Sequence, residues 1–443
     1  MTTFGPLFVP EELLDAVSGR AWLQAMLEFE SALARAEAAA GIVPADAAAA
    51  IADCCRADLY DFGDLLVRGR SVGSPPEPLV RALRDEAGGE AGRYVHWGAT
   101  SQDVMDTASM LVARRALGLI LAELDRIAGM LAALAEEHRS TPMAARTLLQ
   151  QAVPTTFGCK TAGWLVALLE ARTLLANVRN ERLAAQLGGA AGTLAAFGDR
   201  GPEVLRRLAD ELELAEPVLP WHTNRTRIAE LGGALDTTAG VLGKIGLDVV
   251  LLAQTEVGEV REGPGGGSST LPQKRNPVRS ALARACAQMV NGYATVLSRS
   301  LVQEHERAAG AWHAEWEALS GALAYTGGAA HAIAEAVTSL EIDSTRMRAN
   351  LDATNGLVVA ERVSFLLAEW YGRAEGHEIA REAARRAAES GHTFETELRA
   401  DERVALSDEE LHDVLDPTTY LGSAEAFVDR TLELYGRKLP GRP

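Results

Sequence analysis

Apolar residues in the middle of the chain step by three and four alternately. Met110, Ala113, Leu117, Ile120, Leu124, Ile127, Leu131 and Leu134 form one seam, the pattern of a helix packed along its length against others. It predicts a helix over Asp106–His138, ~50 Å long at 1.5 Å per residue. A second follows over Thr156–Leu187 and a third over Arg227–Val260, where Leu231, Leu235, Thr238, Leu242, Ile245, Val249 and Leu252 keep the same step. Pro277 can start a fourth as its first helical residue, running to about Val302, and Glu315–Leu340 makes a fifth. Stretches such as Leu247–Ala253 are apolar on more than one face. A lone bundle would leave that surface wet, so the pattern predicts burial against other subunits.

The texture differs on either side of these seams. Residues 1–105 read as a small helical domain, with an alanine-rich helix over Ala21–Ala40 ended by Gly41 and Pro44, and another over Asp46–Asp58. After Asn350 come shorter helices, Leu357–Tyr371 and Glu375–Ser390, with loops at Gly391 and Pro417. No strand-rich segment stands out. The expected architecture is all-α, with domains at 1–105, 106–341 and 342–443, the middle one a long five-helix bundle that forms the oligomer core.

Composition narrows the function classes. Across 443 residues, 43 Lys and Arg stand against 61 Asp and Glu, a net charge of −18 with no basic run. That argues against nucleic acid or an anionic membrane surface as partner. An anionic small molecule would need a local positive site against the global field. The four cysteines, Cys54, Cys55, Cys159 and Cys286, show no CxxC spacing, which suits a reduced, cytoplasmic protein. The first residues carry no basic region and no long apolar run, so neither a signal peptide nor a membrane span is expected.

Chemistry concentrates in a few stretches. Gly263 to Pro277 reads GPGGGSSTLPQKRNP. Its glycines allow close backbone approach, Ser268 and Ser269 add hydroxyls, and Lys274 and Asn276 supply a cation and an amide. A phosphate-binding loop would need Gly-Lys-Ser/Thr, whereas Gln273 precedes Lys274 and Arg275 follows it. A second stretch, His96 through Asp103, places Thr100, Ser101 and Gln102 just before a helix, where hydroxyls and free N–H groups suit a carboxylate; ordinary helix capping is the competing reading. A third, Arg146 to Thr156, lies in the turn between the first two long helices. Trp221-His222-Thr223-Asn224-Arg225 offers His and Arg at a helix start. Glu304 to Trp316 holds two histidines and two tryptophans, either interface packing or a pocket wall. No HExxH, CxxC or clustered ligand pattern asks for a metal.

The run GSSxxPxKxNP from Gly267 to Pro277 resembles the signature loop of the fumarase/aspartase superfamily, seven fixed positions in eleven residues. Within that superfamily, VHWGATSQDVMDTA from Val95, TLLQQAVPTTFG from Thr147, QLGGAAGTLAAFG from Gln186, PWHTNR from Pro220 and ERAAGAWHAEW from Glu306 resemble the bacterial 3-carboxy-cis,cis-muconate cycloisomerases. The resemblance spans roughly residues 10 to 435. Most C–N and C–O lyases of the superfamily carry histidine where this chain has Leu148, and that subgroup lacks it.

The resemblance implies a homotetramer with active sites shared between subunits, a small polycarboxylate substrate and no cofactor. It implies lactonisation of a muconate on the protocatechuate branch of aromatic catabolism. Ser268, Lys274 and Asn276 would be catalytic. His96, Thr100, Ser101, Gln102, Arg146, Gln150, Thr155, His222, Arg225, Arg307 and Trp312 would bind substrate. The runner-up is a C–N lyase of the same superfamily acting on a substituted succinate. A non-catalytic helical scaffold is the third reading, against which the intact Ser268, Lys274 and Asn276 count.

Overall fold

A computed structural model describes residues 3–264, 266, 267 and 270–439. Five long helices dominate: Ser101–Glu137, Phe157–Asn177, Thr226–Leu252, Val278–Arg299 and Ala311–Thr338. The seams are buried as their spacing demands. From Met110 to Leu131 each seam residue of the first long helix is at most 1% exposed, and Leu231 through Leu252 are buried throughout the third. Val250 and Leu251, on the apolar stretch of the third helix, stay half-exposed in the single chain.

Three of the helices end earlier than the periodicity predicts. The second runs to Asn177 and closes in a π turn over Val178–Arg182. Ala184 then pairs with Ala215 as an isolated bridge. The third stops at Leu252, where the Glu259 N–H turns back to the Leu252 carbonyl and Gly258 takes a φ of 63°. The fourth stops at Arg299. In each case apolar residues continue past the helix end into turns and irregular backbone instead.

The turn expected between the first two long helices is an antiparallel hairpin, Pro142–Thr147 with Gln150–Thr156. Thr147 faces Gln150, so Leu148 and Leu149 form a two-residue tip with φ of 49° and 67°. Positive φ at both positions is the geometry of a type I′ turn, which favours Asn-Gly over leucine. A second small sheet pairs Val260–Glu262 with Leu340–Ile342.

Contacts divide the chain into two compact units. The first comprises Met1–Leu124, Glu170–Lys244 and Leu282–Ile333. It includes the helix Gly19–Ala39, whose N-terminus Ser18 caps, and the helix Gly201–Leu212. The second comprises Asp125–Leu169, Ile245–Ala281 and Ala334–Pro443. Its C-terminal part centres on the helices Ala360–Tyr371 and Arg373–Ser390, with Val363, Leu367, Ile379, Ala383, Phe394 and Leu398 as core. All four thiols are free. Among the described residues no helix is long and apolar enough to cross a membrane.

Candidate active site

Within the first unit, the start of the helix Ser101–Glu137 is held from behind. Asp103 sits in its first turn and accepts from the Thr100 N–H at 3.0 Å, the reach-back half of a capping box. The same carboxylate accepts the Gly188 and Gly189 N–H groups at 2.9 Å and pairs with His222 Nε2 at 2.7 Å. One buried side chain thereby ties the helix start, the 186–189 segment and the His222 loop together. His222 is 4% exposed and Asp103 is fully buried.

One turn further in, Asp106 anchors a buried ionic cluster. Arg225 donates to both its oxygens at 2.8 and 2.9 Å and also pairs with Glu315. Trp312 Nε1 donates to Asp106 at 3.0 Å, and Gln102 and Gln186 each donate to it at 3.2 Å. The Arg225 guanidinium stacks over Trp221 at 4.8 Å. Burial pushes the Glu315 carboxyl up to about 7; Arg225 opposes this and Asp106 adds to it. Burial works against the Arg225 charge, yet Asp106 and Glu315 more than compensate and raise its pKa.

These facts sort the anticipated ligands. Gln102, His222, Arg225 and Trp312 are buried; Gln102, Arg225 and Trp312 donate to protein groups, and His222 pairs with Asp103 through Nε2. Arg225 was expected to lend a cation to the substrate; in this structure its N–H groups are taken by Asp106 and Glu315. What remains accessible is a smaller set. Thr100 and Ser101 are partly exposed at the helix start. Arg307 is exposed, donating to Gln102 Oε1 at 3.1 Å and the Ala190 carbonyl at 3.2 Å. His96 carries a φ of 61° and pairs through Nδ1 with Glu30 at 2.6 Å.

The second unit holds the rest. Arg146 makes a two-pronged pair with fully buried Glu259, at 2.9 and 2.7 Å, and Asn350 donates to the same carboxylate at 2.7 Å. Gln150 is exposed and Thr155 half-buried on the returning strand of the hairpin. In the glycine-rich loop, the Asn276 N–H and side-chain amide both donate to the Gly266 carbonyl, at 2.9 and 3.0 Å. A Cβ on Gly266 would lie 2.1 Å from the Asn276 carbonyl oxygen, and its φ is 68°, so only glycine closes this staple. Glu262 accepts the Arg279 and Ser280 N–H groups and so caps the helix that follows. Lys274 is exposed. Ser268 and Ser269 lie outside the described residues.

Sequence reasoning missed Glu30, Glu259 and Glu315 as partners. No local signal singles them out: Glu30 neighbours Glu28, Glu259 neighbours Glu256 and Glu315 neighbours Glu317, and each is buried only because it is paired.

The match to known proteins covers nearly the whole chain. Residues 10–292 match a family model described as lyase, and residues 356–431 one described as adenylosuccinate lyase C-terminus. The chain belongs to the fumarase/aspartase superfamily. It is 47% identical to a 3-carboxy-cis,cis-muconate cycloisomerase of Bradyrhizobium diazoefficiens, over 98% of each chain. It is 46% identical to a nitrosuccinate lyase of Streptomyces davaonensis, over 96% of this chain and 93% of the other. The crystal structure of the 3-carboxy-cis,cis-muconate lactonizing enzyme from Pseudomonas putida superposes with a TM-score of 0.93 at 44% identity, covering 98% of this chain and 99% of that one. The all-α superfamily fold is therefore the one observed, and the chain is an enzyme of this superfamily.

Proposed function

We propose that this chain is a 3-carboxy-cis,cis-muconate cycloisomerase, closing 3-carboxymuconate to 4-carboxymuconolactone. The carrying observation is the 47% identity to an enzyme of that name over 98% of both chains. One site feature agrees with it: the superfamily's histidine position is Leu148, at the exposed tip of the hairpin, where no proton can be exchanged.

The step forms one C–O bond. A carboxylate oxygen adds to an alkene carbon, the π pair moves to the carbon beside a second carboxylate, and that carbon takes a proton. Charge develops on the second carboxylate, so preorganised donors there matter most. Thr100, Ser101 and Arg307 are accessible candidate donors of the first unit and Lys274 an exposed cation of the loop. Ser268 is the proposed group at the reacting carbon. Gln102, Asp103, Asp106, His222, Arg225, Trp312 and Glu315 hold that surface in shape, and Asn276 holds the loop. Arg146, Gln150 and Thr155 are proposed to reach substrate from the hairpin. The step calls for no metal or organic cofactor.

The proposal keeps the division at 1–105, 106–341 and 342–443, with the middle segment as the core of a cytoplasmic homotetramer whose active sites draw on several subunits. The half-exposed apolar residues of the long helices support it.

The 46% identity to a nitrosuccinate lyase favours a second reading, elimination from a substituted succinate. Incubating pure protein separately with 3-carboxymuconate and nitrosuccinate decides between them. Ultraviolet loss of the conjugated diene is expected with the first. Nitrite release without diene turnover would overturn the cycloisomerase reading.

A further inference from the structure

The lactonisation just described consumes a proton. The substrate's ring-closing carboxylate loses its negative charge to an ester, and one carbon gains hydrogen, so each turnover draws one proton from solvent. A serine hydroxyl must be resupplied after giving its proton up. The structure contains a group built to supply it, outside the glycine-rich loop.

His96 Nδ1 lies 2.6 Å from Glu30 Oε1, and the histidine and glutamate side chains are 13% and 1% exposed. A carboxylate on Nδ1 fixes the tautomer, leaves Nε2 as the working nitrogen and stabilises the imidazolium. Nε2 has no protein partner among the described residues. Burial alone would depress the imidazole, but the charge and hydrogen bond of Glu30, with Asp103 beyond it, outweigh burial and the opposing Arg84 and hold His96 above its ordinary value. Glu37, two turns along the same helix, is fully buried and both its carboxyl oxygens are unpartnered. Burial first, and Glu30 second, push it up to about 9, so Glu37 adds no second negative charge at neutral pH. The backbone of His96 is held left-handed, at a φ of 61°, a conformation strained for a non-glycine residue that commonly marks a functional position. The histidine stands four residues ahead of Thr100, where the candidate carboxylate site begins.

We infer that His96, positioned by Glu30, is the entry point of the proton consumed in lactonisation: its imidazolium gives Nε2–H to the site and the neutral ring is recharged from water. This rests on the cycloisomerase reading. Glu30 is a positioning residue that acts only through His96.

The test is the pH profile of kcat/KM on 3-carboxymuconate for wild type, His96→Gln and Glu30→Gln, with the His96 titration followed by NMR in histidine-labelled protein. The protonated ring is the active form, so wild-type activity should fall as pH rises through the His96 pKa. His96→Gln should lose at least tenfold in kcat and lose that basic limb. Glu30→Gln removes the group that raises the imidazole pKa, so its basic limb and its NMR titration should both move to lower pH by the same amount. Unchanged kcat and an unchanged basic limb in His96→Gln would overturn the inference. So would a Glu30→Gln profile that stays put while the NMR titration moves. Should His96→Gln fail to fold, Glu30→Gln alone carries the comparison. Absence of wild-type turnover on this substrate would instead sink the functional reading, while the NMR titration would still report whether Glu30 tunes His96.

Discussion

Two arginines in the first unit illustrate how burial separates structural from functional charge. Arg225 is 1% exposed, clamped between Asp106 and Glu315. Removing it strands two buried carboxylates, so Arg225→Ala should cost about 3–5 kcal/mol of stability, read as a lower denaturant midpoint. Arg307 is exposed and its donors face backbone carbonyls and Gln102. Arg307→Ala should stay within about 0.5 kcal/mol of wild type in stability but raise KM for a tri-anionic substrate. Equal stability losses in the two variants would remove the distinction. Ser268 and Lys274 differ in another way. If Ser268 exchanges the proton at carbon, Ser268→Ala should lower kcat by about 10²–10⁴ with little change in KM. Lys274→Ala removes a cation and should worsen both. Ser269→Ala is the control; a Ser268→Ala enzyme keeping more than about a tenth of wild-type kcat would exclude Ser268 as proton carrier.

At the scale of elements, the glycine-rich loop is closed by one backbone contact. Because the Gly266 carbonyl accepts twice from Asn276 and its φ is positive, Gly266→Ala should open the staple. Turnover should fall at least tenfold, a step of about 1.4 kcal/mol in activation free energy, while circular dichroism stays unchanged, since a surface loop contributes little packing. Wild-type kinetics in that variant would mean the staple does not set loop geometry. The long helices were legible because apolar residues stepping by three and four run over several turns, as in the first and third, and Met110 to Leu131 are buried as read. The hairpin Pro142–Thr156 was not, because neither strand alternates apolar and polar residues, and Leu148-Leu149 is the reverse of turn chemistry. Of the candidate site, the polar motifs at Thr100–Asp103, Arg146 and Gly266–Asn276 were visible as local clusters. Their partners Glu30, Glu259 and Glu315 were not, since those contacts join residues 66, 113 and 90 positions apart. That separation also hid which of the charged residues would be neutralised internally and which would remain for a ligand.

For the whole molecule, the exposed apolar residues bear on assembly. Leu148 is 97% and Leu149 76% exposed at a strained tip, an arrangement that costs stability with no return within one chain. Val250 and Leu251 remain half-exposed on the third long helix. Such surface is expected at subunit contacts, and a tetramer is the state proposed, so sedimentation at micromolar concentration should give four times the 47.1 kDa chain mass. The stronger test asks whether sites are shared. Arg307→Ala disables the accessible cation of the first unit and Ser268→Ala the loop of the second. Each variant alone should have a low kcat/KM, Arg307→Ala through its raised KM and Ser268→Ala through its lowered kcat. Refolded together in equal amounts, they form mixed tetramers by symmetric assembly; if a site takes Arg307 from one chain and Ser268 from another, about a quarter of sites receive both intact residues. Activity should therefore recover towards that fraction of wild type. If both residues of every site come from one chain, mixing restores nothing, because each chain carries one lesion. A stable 47.1 kDa species, or a mixture as inactive as its parents, would remove the composite site from the proposal while leaving the chemistry of the individual residues to the single-variant kinetics.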